Sequence, residues 1–162
     1  MRSRPGFALL LPVLYTLHCA EEFTRFLDFG RRHGIALPLH GQTQLFGAML
    51  ALLSVILGAS LLAQRSAAPG DRRLQAWFVV FAMMYSHALV NVGGAFWLRE
   101  YAPGAIVAGG LYLPYGVYVT IRVLREGWLS PRRLVALAVL GAGSYVAMVA
   151  ATLALARHFR TP

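Results

Sequence analysis

The sequence predicts an all-α fold, a polytopic membrane bundle of about five transmembrane helices. Three observations predict it. The 162 residues are 58% hydrophobic and only 13% charged, about half the charged share of an ordinary soluble domain. The apolar residues fall in runs close to the ~20 residues a helix needs to cross a ~30 Å hydrocarbon core. Short breaks bearing arginine, glycine or proline separate the runs, and the period-two alternation of a membrane barrel is absent.

The runs assign the elements in order. The spans fall at about residues 7–29, 45–63, 74–98, 104–123 and 134–156. They make a single transmembrane domain over residues 1–162, with no room for a soluble one and no internal repeat. Arg2 and Arg4 ahead of the apolar stretch Phe7–Leu14 have the form of a signal peptide. However, His18 precedes Cys19 where cleavage would want a small residue, and two glutamates follow, so the run is expected to stay as a helix. Cys19 is the only cysteine, which excludes an internal disulfide.

The net charge of +9 comes from fifteen basic residues, all arginine, against six acidic ones. With five spans, Arg2, Arg4, Arg65, Arg72, Arg73, Arg122, Arg125, Arg132 and Arg133 share one side. Arg25, Arg31, Arg32, Arg99, Arg157 and Arg160 share the other. The positive-inside rule then places the N-terminus in the cytoplasm and the C-terminus outside, in a multi-pass protein of the cytoplasmic membrane. Arginines set between apolar runs anchor a protein to anionic headgroups. Membrane lipid is therefore the expected partner, and nucleic acid is not.

Two of the six acidic residues, Glu21 and Glu22, sit inside the first apolar run in the segment His18-Cys19-Ala20-Glu21-Glu22. A carboxylate at the centre of a membrane helix costs roughly 2.5–3.5 kcal/mol on insertion scales, which marks it as functional. His18, Glu21, Glu22 and Arg25 stand at i, i+3, i+4 and i+7 and share a helical stripe. On the third span His87 and Asn91 are i and i+4. At ~1.5 Å per residue, His18 and His87 lie roughly 16–20 Å from their cytoplasmic helix starts, in one layer near the midplane with Tyr112, Tyr115 and Tyr145.

The candidate catalytic residues are thus His18, Glu21, Glu22, His87 and Asn91. The candidate substrate-binding residues are Tyr15, Arg25, Gly94, Tyr112, Tyr115 and Tyr145. Adjacent carboxylates in low dielectric do not both ionise easily, so the pair offers an acid and a base together. Glu22, one turn from His18, is expected to face inward, and Glu21 to pair with Arg25. A plainer role for the same residues is an ion network locking the helices together. The tyrosines are equally suited to packing.

A His-x-x-Glu-Glu segment in the first of about five membrane helices resembles the HXXEE family of small membrane proteins. His87 with Asn91, and Tyr-Ala-Pro-Gly at 101–104 opening the fourth span, extend the resemblance. It implies His18, Glu21 and Glu22 as the functional core and implies no reaction. A looser architectural similarity is to the emopamil-binding sterol isomerases.

The expected function is a membrane-embedded enzyme performing acid–base isomerisation, cyclisation or hydrolysis on a lipophilic small molecule, with no cofactor. One alternative is an iron or zinc enzyme with the metal on His18, Glu22 and His87. Another is a small proton-coupled transporter, against which the odd span number and absent repeat weigh. The thin polar layer between apolar residues predicts a cavity open to the bilayer or its outer half.

Overall fold

The computed structural model describes residues 5–34 and 41–158, with side chains through residue 155. The described residues are helical or in turns and loops. The elements are a 3₁₀ turn at Gly6–Leu9, then α1 (Leu10–Glu22), α2 (Phe26–Arg32), α3 (Gln42–Ala63) and α4 (Arg72–Leu98). A short α5 (Ala105–Val107), a π-helical turn (Ala108–Tyr112) and α6 (Leu113–Arg125) form one continuous segment, and α7 (Pro131–His158) follows. Arg2, Arg4 and Arg160 lie outside the described residues.

Four segments, Gln42–Ala63, Arg72–Leu98, Ala105–Arg125 and Pro131–Leu155, are long and apolar enough to cross a membrane. They match the second to fifth apolar runs, and the chain is a polytopic membrane helix bundle. The first run differs from the expected single span over 7–29. Its helix ends at Glu22, three turn residues intervene, and only the seven residues of α2 follow. No proline or glycine lies at this break. It falls directly after two carboxylates whose side chains are held by neighbouring segments.

Local sequence explains the remaining boundaries. The Asp71 carboxylate accepts the backbone N–H of Arg73 at 2.8 Å and caps α4. Pro131 opens α7 at the first helical position, where its missing N–H costs nothing. The chain leaves α4 through Arg99 in the left-handed region (φ 52°) and enters α5 through Gly104 (φ 85°). The strap Arg99–Gly104 is therefore bounded by two left-handed residues.

Packing concentrates at one end of the bundle. Trp77 stacks on Phe81 at 5.3 Å and meets the edge of Phe7 at 5.5 Å. The Trp77 indole N–H donates to Ser60 Oγ at 3.1 Å, and the Tyr115 hydroxyl donates to the Phe7 carbonyl at 2.7 Å. These contacts bind the start of the chain to α3, α4 and α6. Side chains such as Val135, Val139, Leu140 and Val146 on α7 are largely exposed. Lipid tails are as apolar as leucine, so such a face needs no protein partner.

Candidate metal centre

Two helices bring the polar residues together, each with an i, i+4 pair. Residues four apart lie on one helix face, so His18 and Glu22 leave α1 side by side, and His87 and Asn91 leave α4 in the same way. His18 and Glu22 are buried. His18 Nε2 lies 3.0 Å from His87 Nε2 and 3.1 Å from Glu22 Oε1. Glu22 Oε1 lies 3.4 Å from His87 Nε2. Asn91 Nδ2 donates to Glu22 Oε1 at 2.9 Å and is 3.3 and 3.4 Å from the two imidazole nitrogens.

Three atoms with lone pairs thus converge on one point. A neutral imidazole nitrogen and a carboxylate oxygen repel at such separations unless a proton or a cation lies between them. With protons, one imidazole donates from Nε2 and the cluster is an acid–base site. With a cation, both Nε2 atoms and Oε1 become ligands. The three donor atoms lie within 4.8 Å of one another, so the set is capable of coordinating a metal ion. This overturns the expectation of no cofactor and favours iron or zinc.

One of the two imidazoles has the surroundings of a metal ligand. Metal-bound imidazoles usually engage their second nitrogen in a hydrogen bond that fixes the ring. His87 Nδ1 lies 3.4 Å from the Tyr145 hydroxyl on α7. His18 Nδ1 is buried without a hydrogen-bond partner among the described residues, as is the hydroxyl of Tyr112. Their rings meet edge-on at 5.7 Å, which puts two unsatisfied polar groups on neighbouring side chains.

The strap covers the centre. A Cβ at Gly104 would lie 2.4 Å from His18 Cε1, 2.8 Å from Asn91 Nδ2 and 2.9 Å from Glu22 Oε1. Only glycine lets the backbone approach this closely. Glu21 fastens the strap from below. Its Oε1 accepts the Tyr101 hydroxyl at 2.6 Å and the Ile106 amide at 3.0 Å, and its Oε2 accepts the Val107 amide at 2.7 Å. The carboxylate thus satisfies amides at the start of α5 that have no intrahelical partner. The adjacent glutamates divide their work, Glu22 at the cluster and Glu21 at the strap. Arg25, expected against Glu21, instead lies over the Tyr101 ring at 5.4 Å.

The remaining candidates separate. An apolar cavity of about 520 Å³ between α1, α3, α4 and α7 reaches Glu22 and His87, with Tyr15, Met49, Met84 and Met148 in its walls. Tyr145 supports His87, whereas Tyr115 is spent on the Phe7 carbonyl at the far end. Gly94 faces open space. Asn91 is about 10 Å from the end of α4 at ~1.5 Å per residue, and the strap closes directly over it. Sequence reasoning missed Gly104 as a site residue. The signal was the Pro-Gly pair at 103–104, which marks a turn but does not reveal what lies beneath it.

No match was found among curated proteins or among solved structures. Residues 9–119, more than half of the chain, match the family described as "Protein of unknown function with HXXEE motif". The matched region holds the paired helices, the strap and every residue of the cluster, so the chain belongs to the HXXEE family.

Proposed function

We propose that the protein is a membrane-embedded metalloenzyme in which His18, Glu22 and His87 hold one divalent zinc or iron ion that acts on a lipophilic substrate. The observation that carries this reading is the convergence of His18 Nε2, His87 Nε2 and Glu22 Oε1 at 3.0–3.4 Å. Two imidazoles and a carboxylate are the donor set of both hydrolytic zinc sites and non-haem iron sites. When bound, such an ion polarises a substrate group as a Lewis acid.

The chain's own residues supply the rest. Tyr145 orients the His87 ring. The strap shields the ligands on one side. The walls of the cavity at Glu22 and His87 are almost wholly apolar, which suits a hydrophobic molecule presenting one polar end to the ligands.

Full-length protein purified in detergent, loaded with zinc or iron and desalted, should retain about one ion per chain. His18→Ala and His87→Ala should retain less than about a tenth of that at unchanged helical content. Wild-type protein that holds no stoichiometric ion of either metal would sink the reading.

We also place the arginine-rich end in the cytoplasm. Arg65, Arg72, Arg73, Arg122, Arg125, Arg132 and Arg133 flank the segment ends there, accompanied by Asp71 and Glu126. The opposite end carries Arg25, Arg31, Arg32, Arg99 and Arg157, and Arg32 pairs with Glu100 at 3.0 Å. The first end carries the larger number of arginines, seven against five, and the loops richer in them stay inside. A cysteine introduced at Ala68 should resist a membrane-impermeant maleimide in intact cells, and one at Arg99 should react. The reverse pattern refutes this orientation.

A further inference from the structure

The cluster contains a fourth atom at the same spacing, and its chemistry is unsettled without an ion. Asn91 Nδ2 lies 2.9, 3.3 and 3.4 Å from Glu22 Oε1, His18 Nε2 and His87 Nε2. An amide nitrogen has two hydrogens, so it cannot satisfy three acceptors at once. Turning the amide by half a revolution exchanges Nδ2 and Oδ1 at almost constant shape. The carbonyl oxygen then occupies the same point.

We propose that Asn91 is the fourth protein ligand, its Oδ1 facing the ion, so that the resting site is closed. This rests on the metal reading above. The six separations among the four atoms run from 2.9 to 3.4 Å. A regular tetrahedron with edges of about 3.2 Å has its centre about 2.0 Å from each corner, the usual Zn–N and Zn–O distance. The two helices also contribute in matched fashion. α1 supplies an imidazole and, one turn on, an oxygen from Glu22. α4 supplies an imidazole and, one turn on, an oxygen from Asn91. Gly104 Cα lies over His18, Glu22 and Asn91 and seals that side. The apolar cavity reaches Glu22 and His87 from the other. A neutral amide would be the weakest donor of the four.

A closed site and an open one differ in a bound water, whose pKa on zinc-type sites lies near 7. The test uses cobalt(II)-loaded full-length protein and its visible spectrum between about pH 6 and 9. The wild type should show a tetrahedral spectrum that does not change over this range. Asn91→Ala should acquire a spectral titration with a midpoint near 7 and bind zinc about ten- to a hundredfold more weakly. Asn91→Asp, which offers only oxygens, should restore both the affinity and the flat pH profile. If the wild-type spectrum itself titrates near pH 7, a water holds the fourth position and the role of Asn91 falls while the metal reading stands. If the wild type takes up neither cobalt nor zinc, both fall. The wild-type readout decides the matter even where Asn91→Ala does not fold.

Discussion

Gly104→Ala is expected to empty the proposed metal site. The added methyl would sit 2.4 Å from His18 Cε1 and less than 3 Å from the Asn91 amide and the Glu22 carboxylate. Ordinary carbon contacts are about 3.5–4.0 Å, so at least one ligand has to leave its place. Gly104 also has φ 85°, where alanine is strained and costs roughly 1 kcal/mol or more. Binding sites tolerate displacements of only about 0.5 Å before function suffers. Zinc affinity should therefore fall by on the order of a hundredfold or more, comparable with or beyond the loss of a supporting residue. Gly94→Ala is the control, because nothing lies within 4 Å of its added Cβ. Isothermal titration with zinc checks both variants. Equal affinities in Gly104→Ala and the wild type would show that the strap does not lie on the cluster.

Gly141→Leu is expected to destabilise the bundle most. α4 and α7 share its most extensive helix–helix contact. A Cβ at Gly141 would lie 2.6 Å from Ala82 Cβ, 2.6 Å from the Val79 carbonyl oxygen and 2.9 Å from the Met83 nitrogen. Two of these are backbone atoms of α4, which cannot turn aside as a side chain can. Small residues at such crossings let membrane helices approach closely. A leucine forces the axes apart, at about 3 kcal/mol, the upper part of the usual overpacking range. The effect should reach the site as well. Tyr145, one turn further along α7, would move away from His87 Nδ1, from which its hydroxyl now lies 3.4 Å. Gly143→Leu, whose Cβ meets nothing within 4 Å, should change stability by less than about 0.5 kcal/mol. Detergent-unfolding curves of the two variants should separate clearly. Coincident curves would contradict the close α4–α7 packing.

Several features of the site were legible in the residues before any contact was known. The i, i+4 spacing of His18 with Glu22 and of His87 with Asn91 put each pair on one face. The expectation that Glu22 faces inward agrees with its place in the cluster, since one helical turn from His18 is the nearest position on the same stripe. The partner of Glu21 was not legible. Arg25 is close in sequence, but Tyr101 and the amides of Ile106 and Val107 lie some eighty residues away. Sequence spacing reveals nearby partners and is silent about distant ones.

The cover over the site and the break in the first run were both hidden from the sequence. Apolar length alone joined residues 7–29 into one span, yet the helix stops at Glu22. The break follows directly on two carboxylates that neighbouring segments hold. Counting rises along each run put the polar layer near the midplane. In the folded chain that layer is covered by the strap, through Gly104, which counting along single runs does not reveal.

By itself the sequence determined the membrane class, the long helices of the second to fifth runs, the family motif and the face of α1 and of α4 that carries polar groups. These follow from composition and from periodicities of 3.6 residues, which act within a helix and need no knowledge of its neighbours. Only the tertiary structure decided that the faces meet with donor atoms 3.0–3.4 Å apart, a spacing that suits a metal ion. It alone divided Glu21 from Glu22 and brought Gly104 down onto the cluster. Those outcomes depend on the rotation and separation of helices distant in the chain. Packing at Gly141, the Glu21 clamp and the left-handed turn at Gly104 set them, and no local pattern encodes the angle between two helices.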